Sequence, residues 1–212
     1  MCYFGIHSRQ DENMKMKPSA ILFDMDGVLV DSLDSWLLAL NAALKAFDHK
    51  EITRQEFIER YWGHDLYDNL KRMGLENEIG TFCNSAYSEH LDAIRIYSDT
   101  RATLEKFKRY KKGVITNTPK DCTHQILKKF DIERYFDVVI TSDEVLEAKP
   151  SPDIVFKACN TLGVEPKGVV LVGDTDSDVK AGKSAGCTVV GINVKADYTI
   201  KRLSELTEIL LR

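Results

Sequence analysis

Five short runs of nearly unbroken apolar residues constrain this chain more than any other feature: 20–23, 113–115, 138–140, 169–172 and 188–192. A strand with one wet face alternates apolar and polar side chains, whereas one covered on both faces reads as continuous Val, Ile and Leu. Each run is bounded by polar or turn residues, so all five are expected to be buried strands. Helical segments separate the last four. Residues 121–130 carry Cys122, Ile126, Leu127 and Phe130 at helical spacing. Residues 152–162 have Ser151 as N-cap, Pro152 as first helical residue and Gly163 past the end, and 178–185 is closed by Gly186. Strand and helix alternating in this way predict an α/β fold with a doubly wound parallel sheet.

The gap between the first two runs breaks the alternation. About ninety residues lie there, where a crossover needs only about a dozen. Segments 35–47, 53–61, 65–73 and 76–90 all read as helical, with few β-branched residues and no proline, and compact domains rarely carry structureless loops of that length. The expected organisation is an α/β core of residues 17–32 and 98–212 with an inserted helical domain of residues 33–97. Two linkers at neighbouring points would join them and form a hinge. Residues 1–16 are expected to be a polar extension, in which Met14 or Met16 would serve equally as a start.

Composition narrows the class. Hydrophobic residues make up 43% of the chain, too many for a disordered polymer. With 29 Lys+Arg against 33 Asp+Glu and a net charge of −4, there is no basic surplus to bind nucleic acid. No apolar run approaches the roughly 18–20 residues that span a bilayer. The five cysteines, Cys2, Cys83, Cys122, Cys159 and Cys187, are odd in number and form no CxxC pair, so neither a disulfide framework nor a zinc site is expected. The first sixteen residues lack the basic start and apolar stretch of a secretory leader. These features predict a cytoplasmic monomer or dimer in a reducing compartment, with no nucleic-acid or membrane partner.

Ligands of open α/β sheets bind beyond the carboxyl ends of the strands. The first run leads into Asp24-Met25-Asp26-Gly27, the second into Thr116-Asn117-Thr118-Pro119, and the fourth into Gly173-Asp174, with Asp176 and Asp178 just beyond. Ser142-Asp143 and then Lys149-Pro150 follow the third. Carboxylates gathered on one rim stay ionised only if a cation compensates them. An oxygen-rich site without His or Cys favours a hard ion such as Mg²⁺. Thr116, the amides that follow it and Lys149 would seat an anion. Together these groups suit phosphoryl transfer. Each alone has an ordinary reading, as a solvated turn, a helix cap or a strand exit; their joint occurrence at four strand ends carries the argument.

DMDGVLVDS (24–32), the threonine of VITNTP (Thr116), the lysine of AKPSP (Lys149) and VGDTDSD (172–178) resemble the four ordered motifs of the haloacid dehalogenase superfamily. The resemblance runs from about residue 19 to 194. The helical insertion after the first motif is similar to the phosphoglycolate phosphatase and β-phosphoglucomutase branch. It implies a Rossmann-like sheet in the order 5-4-1-2-3, counting the five runs along the chain. It implies Asp24 as nucleophile, forming an aspartyl-phosphate, and Asp26 as general acid and base. Mg²⁺ would be held by Asp24, the carbonyl of Asp26 and Asp174, with Asp178 orienting metal-bound water or Lys149. Thr116, Asn117 and Lys149 would hold the phosphoryl oxygens.

Asp26 counts against dehalogenation, because halide leaves without a proton. The loop Arg60-Tyr61-Trp62-Gly63-His64-Asp65 is the expected specificity segment. The mutase pattern has a lysine before the glycine and an arginine three residues after it; Trp62 and Leu66 stand there instead. Arg60 is a candidate for a substrate carboxylate or a partner of Glu56 or Glu59, and His64 is a candidate contact or a surface histidine. Tyr61 and Trp62 read more readily as packing residues. The expectation is a Mg²⁺-dependent hydrolase of a small phosphorylated metabolite, with phosphoglycolate first. A sugar-phosphate phosphatase, a β-phosphoglucomutase, a phospho-aspartate signalling module and an inactive binding relative are the alternatives.

Overall fold

The computed structural model describes residues 17–211. The chain forms β1 (Ala20–Phe23), β2 (Val30–Asp31), α1 (Leu33–Ala46), α2 (Arg54–Arg60), α3 (Leu66–Met73), α4 (Asn77–Glu89), β3 (Arg95–Ile96), α5 (Thr100–Lys106) and β4 (Lys111–Thr116). There follow α6 (Lys120–Lys129), β5 (Val138–Thr141), α7 (Asp153–Leu162), β6 (Val169–Gly173), α8 (Asp176–Ala185), β7 (Thr188–Ile192), β8 (Tyr198–Ile200) and α9 (Leu206–Leu210). The extension expected over 1–16, with Cys2, lies outside the described residues.

Six strands form a parallel sheet in the order β5-β4-β1-β6-β7-β8. The five expected strands are all present in the expected order, and the α/β class is as the sequence indicates. The addition is β8 at the edge beyond β7. Only Ile200 of its three residues is buried, so it lacks the continuous apolar signal of the others.

The sheet is covered on both faces because its strands alternate between two apolar clusters. Ile21 and Phe23 point into one with Val114, Val172, Leu104 and Ile126. Ala20 and Leu22 point into the other with Ile115, Ile154, Ala181 and Val189. Burying a Leu or Ile side chain stabilises by about 1.5–3 kcal/mol, and Leu22→Ala would cost about 2–5 kcal/mol through the lost contacts and the cavity left behind. The first cluster continues into the helices between β2 and β3, through Leu40, Leu44, Leu70 and Tyr87. The two chain crossings are tied together: β2 pairs antiparallel with β3, Val30 opposite Ile96.

Local chemistry sets the helix ends. Thr53 caps α2 by accepting from the Glu56 N–H at 3.1 Å. Asp65 caps α3, accepting from the Tyr67 and Asp68 N–H groups, and left-handed Gly74 closes it. The expected helix starts move by one or two residues. α7 begins at Asp153 with Pro152 as N-cap, one residue later than expected. α8 begins at Asp176, because Thr175 and Asp178 form a reciprocal capping box. Among the described residues, no helix is long and apolar enough to cross a membrane.

Candidate active site

The site lies where β1, β4 and β6 end side by side. β1 is central, so the residue after it is fixed from both sides: the Asp24 N–H donates to the Val172 carbonyl at 2.9 Å. The chain then turns back within a few residues. Gly27 N–H donates to Val30 O at 2.8 Å, and Leu29 N–H to Met25 O at 2.9 Å. Gly27 adopts φ +77°, and a Cβ there would stand 2.0 Å from Asp174 Oδ2. Both the backbone angle and the neighbouring carboxylate therefore require glycine.

Lys149 organises the charges. Its Nζ lies 2.8 Å from Asp24 Oδ1 and 2.7 Å from Asp178 Oδ1, and it donates to the Ile115 carbonyl at 3.3 Å. Lys149 is 2% exposed and Asp178 fully buried. The main chain of Lys149 is clamped by Asn117, whose Nδ2 donates to its carbonyl at 2.9 Å and whose Oδ1 accepts from its N–H at 3.0 Å. Asp178 spends its other oxygen on the α8 cap, accepting from Thr175 N–H at 3.1 Å and Thr175 Oγ1 at 2.6 Å. Its two oxygens are thus both engaged.

Asp26 sits in a collar of hydroxyls. Its Oδ2 accepts from Thr118 Oγ1 at 2.6 Å and Thr116 Oγ1 at 3.2 Å, and its Oδ1 from Ser32 Oγ. Asp174 is poorer in partners. The Trp62 indole N–H reaches its Oδ2 at 3.3 Å, while its Oδ1 is buried with no partner.

Asp24, Asp174 and Asp178 bring carboxylate oxygens within 4.8 Å of one another. Burial, then repulsion from Asp178, push the Asp174 carboxyl up to about 7. Burial, then Asp178, hold Asp24 well above the usual carboxylate range, against the pull of Lys149. One lysine does not balance this group. The orphaned Asp174 oxygen, the all-oxygen donors and the excess negative charge fit a hard divalent cation. Asp178 is spoken for by Lys149 and Thr175, so Asp24 and Asp174 are the carboxylates left to hold it.

A cavity lies over Asp24, lined also by Asp26, Thr116, Asn117, Thr118 and Lys149 from the sheet side. Trp36, Leu40, Phe57, Tyr61 and Trp62 line it from the helical side. Gly63, at φ +77°, brings that loop onto α8: a Cβ there would stand 2.5 Å from Thr175 Cγ2.

The structure therefore brings together Asp24, Asp26, Thr116, Asn117, Lys149, Asp174 and Asp178. His64 lines the cavity at its exposed margin. Arg60 does not reach it: its side chain is 65% exposed and its Nη1 lies 3.4 Å from Glu56 Oε1. Thr118, Ser32, Trp36 and Asn69 are site residues that the sequence reading did not assign. Trp62, there read as packing, contacts Asp174.

Residues 21–192 match the family described as haloacid dehalogenase-like hydrolase. The chain belongs to that family. It is 32% identical over 204 residues to the phosphoglycolate phosphatase of Aquifex aeolicus, covering 90% of this chain and 95% of the relative. It is 30% identical over 210 residues to the pyrophosphatase PpaX of Bacillus velezensis, again covering 90% and 95%. Among solved structures it resembles a HAD phosphatase from Thermococcus onnurineus, with TM-score 0.68, 33% identity and coverage of 92% and 98%. The chain is an enzyme, a phosphatase of this family.

Proposed function

We propose that the protein is a Mg²⁺-dependent phosphomonoester hydrolase that works through an aspartyl-phosphate on Asp24 and acts on a small phosphorylated metabolite. The observation that carries this reading is the meeting of Asp24 and Asp174 at adjacent strand ends, beside Lys149 and facing a cavity. Lys149 and the Met25 N–H, at 2.7 Å, both hold Asp24 Oδ1 and fix the orientation of the group. The Asp24 carboxylate attacks phosphorus, and the bond from phosphorus to the leaving oxygen breaks. That oxygen takes its proton from Asp26. Water then attacks the aspartyl-phosphate, Asp26 accepts a proton from it, and the bond from phosphorus to Asp24 breaks to release inorganic phosphate.

Thr116 and Lys149 bind the phosphoryl oxygens in this scheme, while Asn117 positions Lys149. Asp24, Asp174 and the Asp26 carbonyl would hold magnesium, which would supply positive charge to offset that of the phosphoryl group. Residues 33–97 serve as a cap over a core of residues 17–32 and 98–212, excluding water when closed. Four free, buried cysteines among the described residues suit a reducing cytoplasm.

Turnover of p-nitrophenyl phosphate tests the reading. Hydrolysis with Mg²⁺, its loss in EDTA and a fall of at least about 10⁴-fold in Asp24→Asn are expected. Hydrolysis retained by Asp24→Asn would exclude covalent catalysis.

A further inference from the structure

The three carboxylates of the acidic cluster take their donors from different parts of the chain. Asp24 Oδ1 accepts from the Met25 N–H at 2.7 Å and lies 2.8 Å from Lys149 Nζ. Asp178 accepts from Lys149 and Thr175. All of these donors stand at the rim of the sheet. Asp174 differs: its Oδ2 accepts from the Trp62 indole N–H at 3.3 Å, and Trp62 belongs to the loop between α2 and α3 of the helical insertion. The indole N–H is a donor only. It can neither ligate a cation nor carry a proton in catalysis, but it can orient the carboxylate it holds. On another side the Asp174 carboxyl lies against Gly27, where a Cβ would stand 2.4 Å from its Cγ.

Local structure ties Trp62 to the insertion. Its backbone N–H donates to the Phe57 carbonyl at 2.9 Å, and its ring meets that of Phe57 edge to face with centroids 6.0 Å apart. The Tyr61 carbonyl accepts from Asn69 Nδ2 of α3 at 2.8 Å. The loop is thus braced against α2 and α3 and moves with them. Across the interface, consecutive residues meet consecutive residues. Trp62 holds Asp174, and Gly63 packs so closely on Thr175 that a Cβ would stand 2.5 Å from its Cγ2. Thr175 Oγ1 in turn donates to Asp178 at 2.6 Å. The insertion therefore docks on the core at a carboxylate of the acidic cluster and at the residue that caps α8.

We infer that Trp62 is a positioning residue for the divalent cation: its indole orients Asp174 while the insertion is docked, so that docking of the insertion and binding of Mg²⁺ strengthen each other. The inference rests on the proposed metal site and cap and deepens that reading. Donors that orient a ligating group are typically worth about 10–100-fold in metal affinity, and a coupling of this kind acts equally in both directions.

The test measures Mg²⁺ affinity by calorimetry without substrate, and Mg²⁺ activation of p-nitrophenyl phosphate hydrolysis, in the wild-type protein, Trp62→Phe and Gly63→Ala. Trp62→Phe keeps an aromatic ring beside Phe57 and loses the N–H. Gly63→Ala keeps the indole, but its methyl group and the φ of +77° force the loop off Thr175. Each variant is expected to bind Mg²⁺ about tenfold or more weakly, and to need more Mg²⁺ for half-maximal turnover by the same factor, with turnover recovered at saturating Mg²⁺. Thermal melting in EDTA reports that both are folded. Wild-type affinity in Trp62→Phe overturns the role of the indole, and wild-type affinity in Gly63→Ala overturns the coupling to docking. Turnover that stays low at saturating Mg²⁺ overturns positioning as the role. In each of these cases, Mg²⁺ binding and hydrolysis by the wild-type protein leave the proposed function standing; if the wild-type protein binds no Mg²⁺, both fall together.

Discussion

The two sides of the cavity are built on opposite principles. On the sheet side, Asp24, Asp26, Lys149 and Asp178 each have two or more polar partners, drawn from segments as distant as Ser32 and Thr175. On the helical side the lining is mostly aromatic and aliphatic, with few polar side chains: Trp62, whose indole reaches Asp174, Tyr61, Asn69, and His64 at the margin. A heavily cross-braced charge cluster fixes one geometry, as phosphoryl chemistry requires. An apolar wall fixes only shape and polarity, as choice of leaving group requires. On the proposed reading, chemistry and selectivity are carried by separate stretches of chain, and substitutions should divide along the same line.

The largest effect is expected at Lys149. Lys149→Met removes the ammonium shared by Asp24 and Asp178 and leaves buried carboxylates uncompensated, which should cost about 3–5 kcal/mol of stability in urea unfolding without metal, along with activity. Full stability in that variant would show that the sheet side is less tightly coupled than its contacts imply. Next comes Asp26→Asn, which should slow alkyl phosphate turnover by about 10²–10⁴-fold and activated aryl esters much less. An equal loss on both would remove Asp26 as proton donor.

Metal-free stability should depend on pH with a definite sign. Asp174 titrates at about 7 in the folded chain, above the usual range for an aspartate. As pH rises from about 4 to 7, the unfolded chain therefore sheds this proton first, and this group's contribution to stability is lost. Melting scans in EDTA at pH 5 and pH 7.5 should show that loss, and saturating Mg²⁺ should raise Tm more at pH 7.5 than at pH 5, because it binds the ionised carboxylates. The smallest effect belongs to Arg60→Ala. Its exposed pair with Glu56 is worth about 0.3–0.5 kcal/mol, and kcat/KM should move by less than about threefold, roughly 0.65 kcal/mol. A large rise in KM would bring Arg60 back to the substrate.

The same division explains what the sequence disclosed. Asp24, Thr116 and Asp174 announce themselves because a buried strand ending in or followed at once by a polar residue is a local pattern, and such strand ends in one sheet converge on one rim; Lys149 stands eight residues beyond the end of β5 and was legible through the AKPSP motif. The hydroxyls of Ser32 and Thr118 carry no such mark, since their role depends on Asp26 folding back between them. Leu40, Phe57 and Asn69 follow helical spacing like any core residue, and nothing local distinguishes lining a cavity from packing in a core. Thr175 and Asp178 illustrate a double use: the Thr-x-x-Asp spacing of a capping box was present in the sequence, yet the acid read as chemistry alone, so α8 was expected to begin two residues late. The edge strand β8 was missed because two of its three residues face solvent.

The central claim is that Asp24 and Asp174 share one divalent cation beside the phosphoryl pocket. Calorimetric titration of Mg²⁺ into the wild-type protein, Asp24→Asn and Asp174→Asn at pH 7.5 tests it most directly. One site in the wild type, weakened in Asp24→Asn and lost or weakened by at least about tenfold in Asp174→Asn, is the expected result. No binding to the folded wild-type protein, or equal affinity in all three, would contradict it.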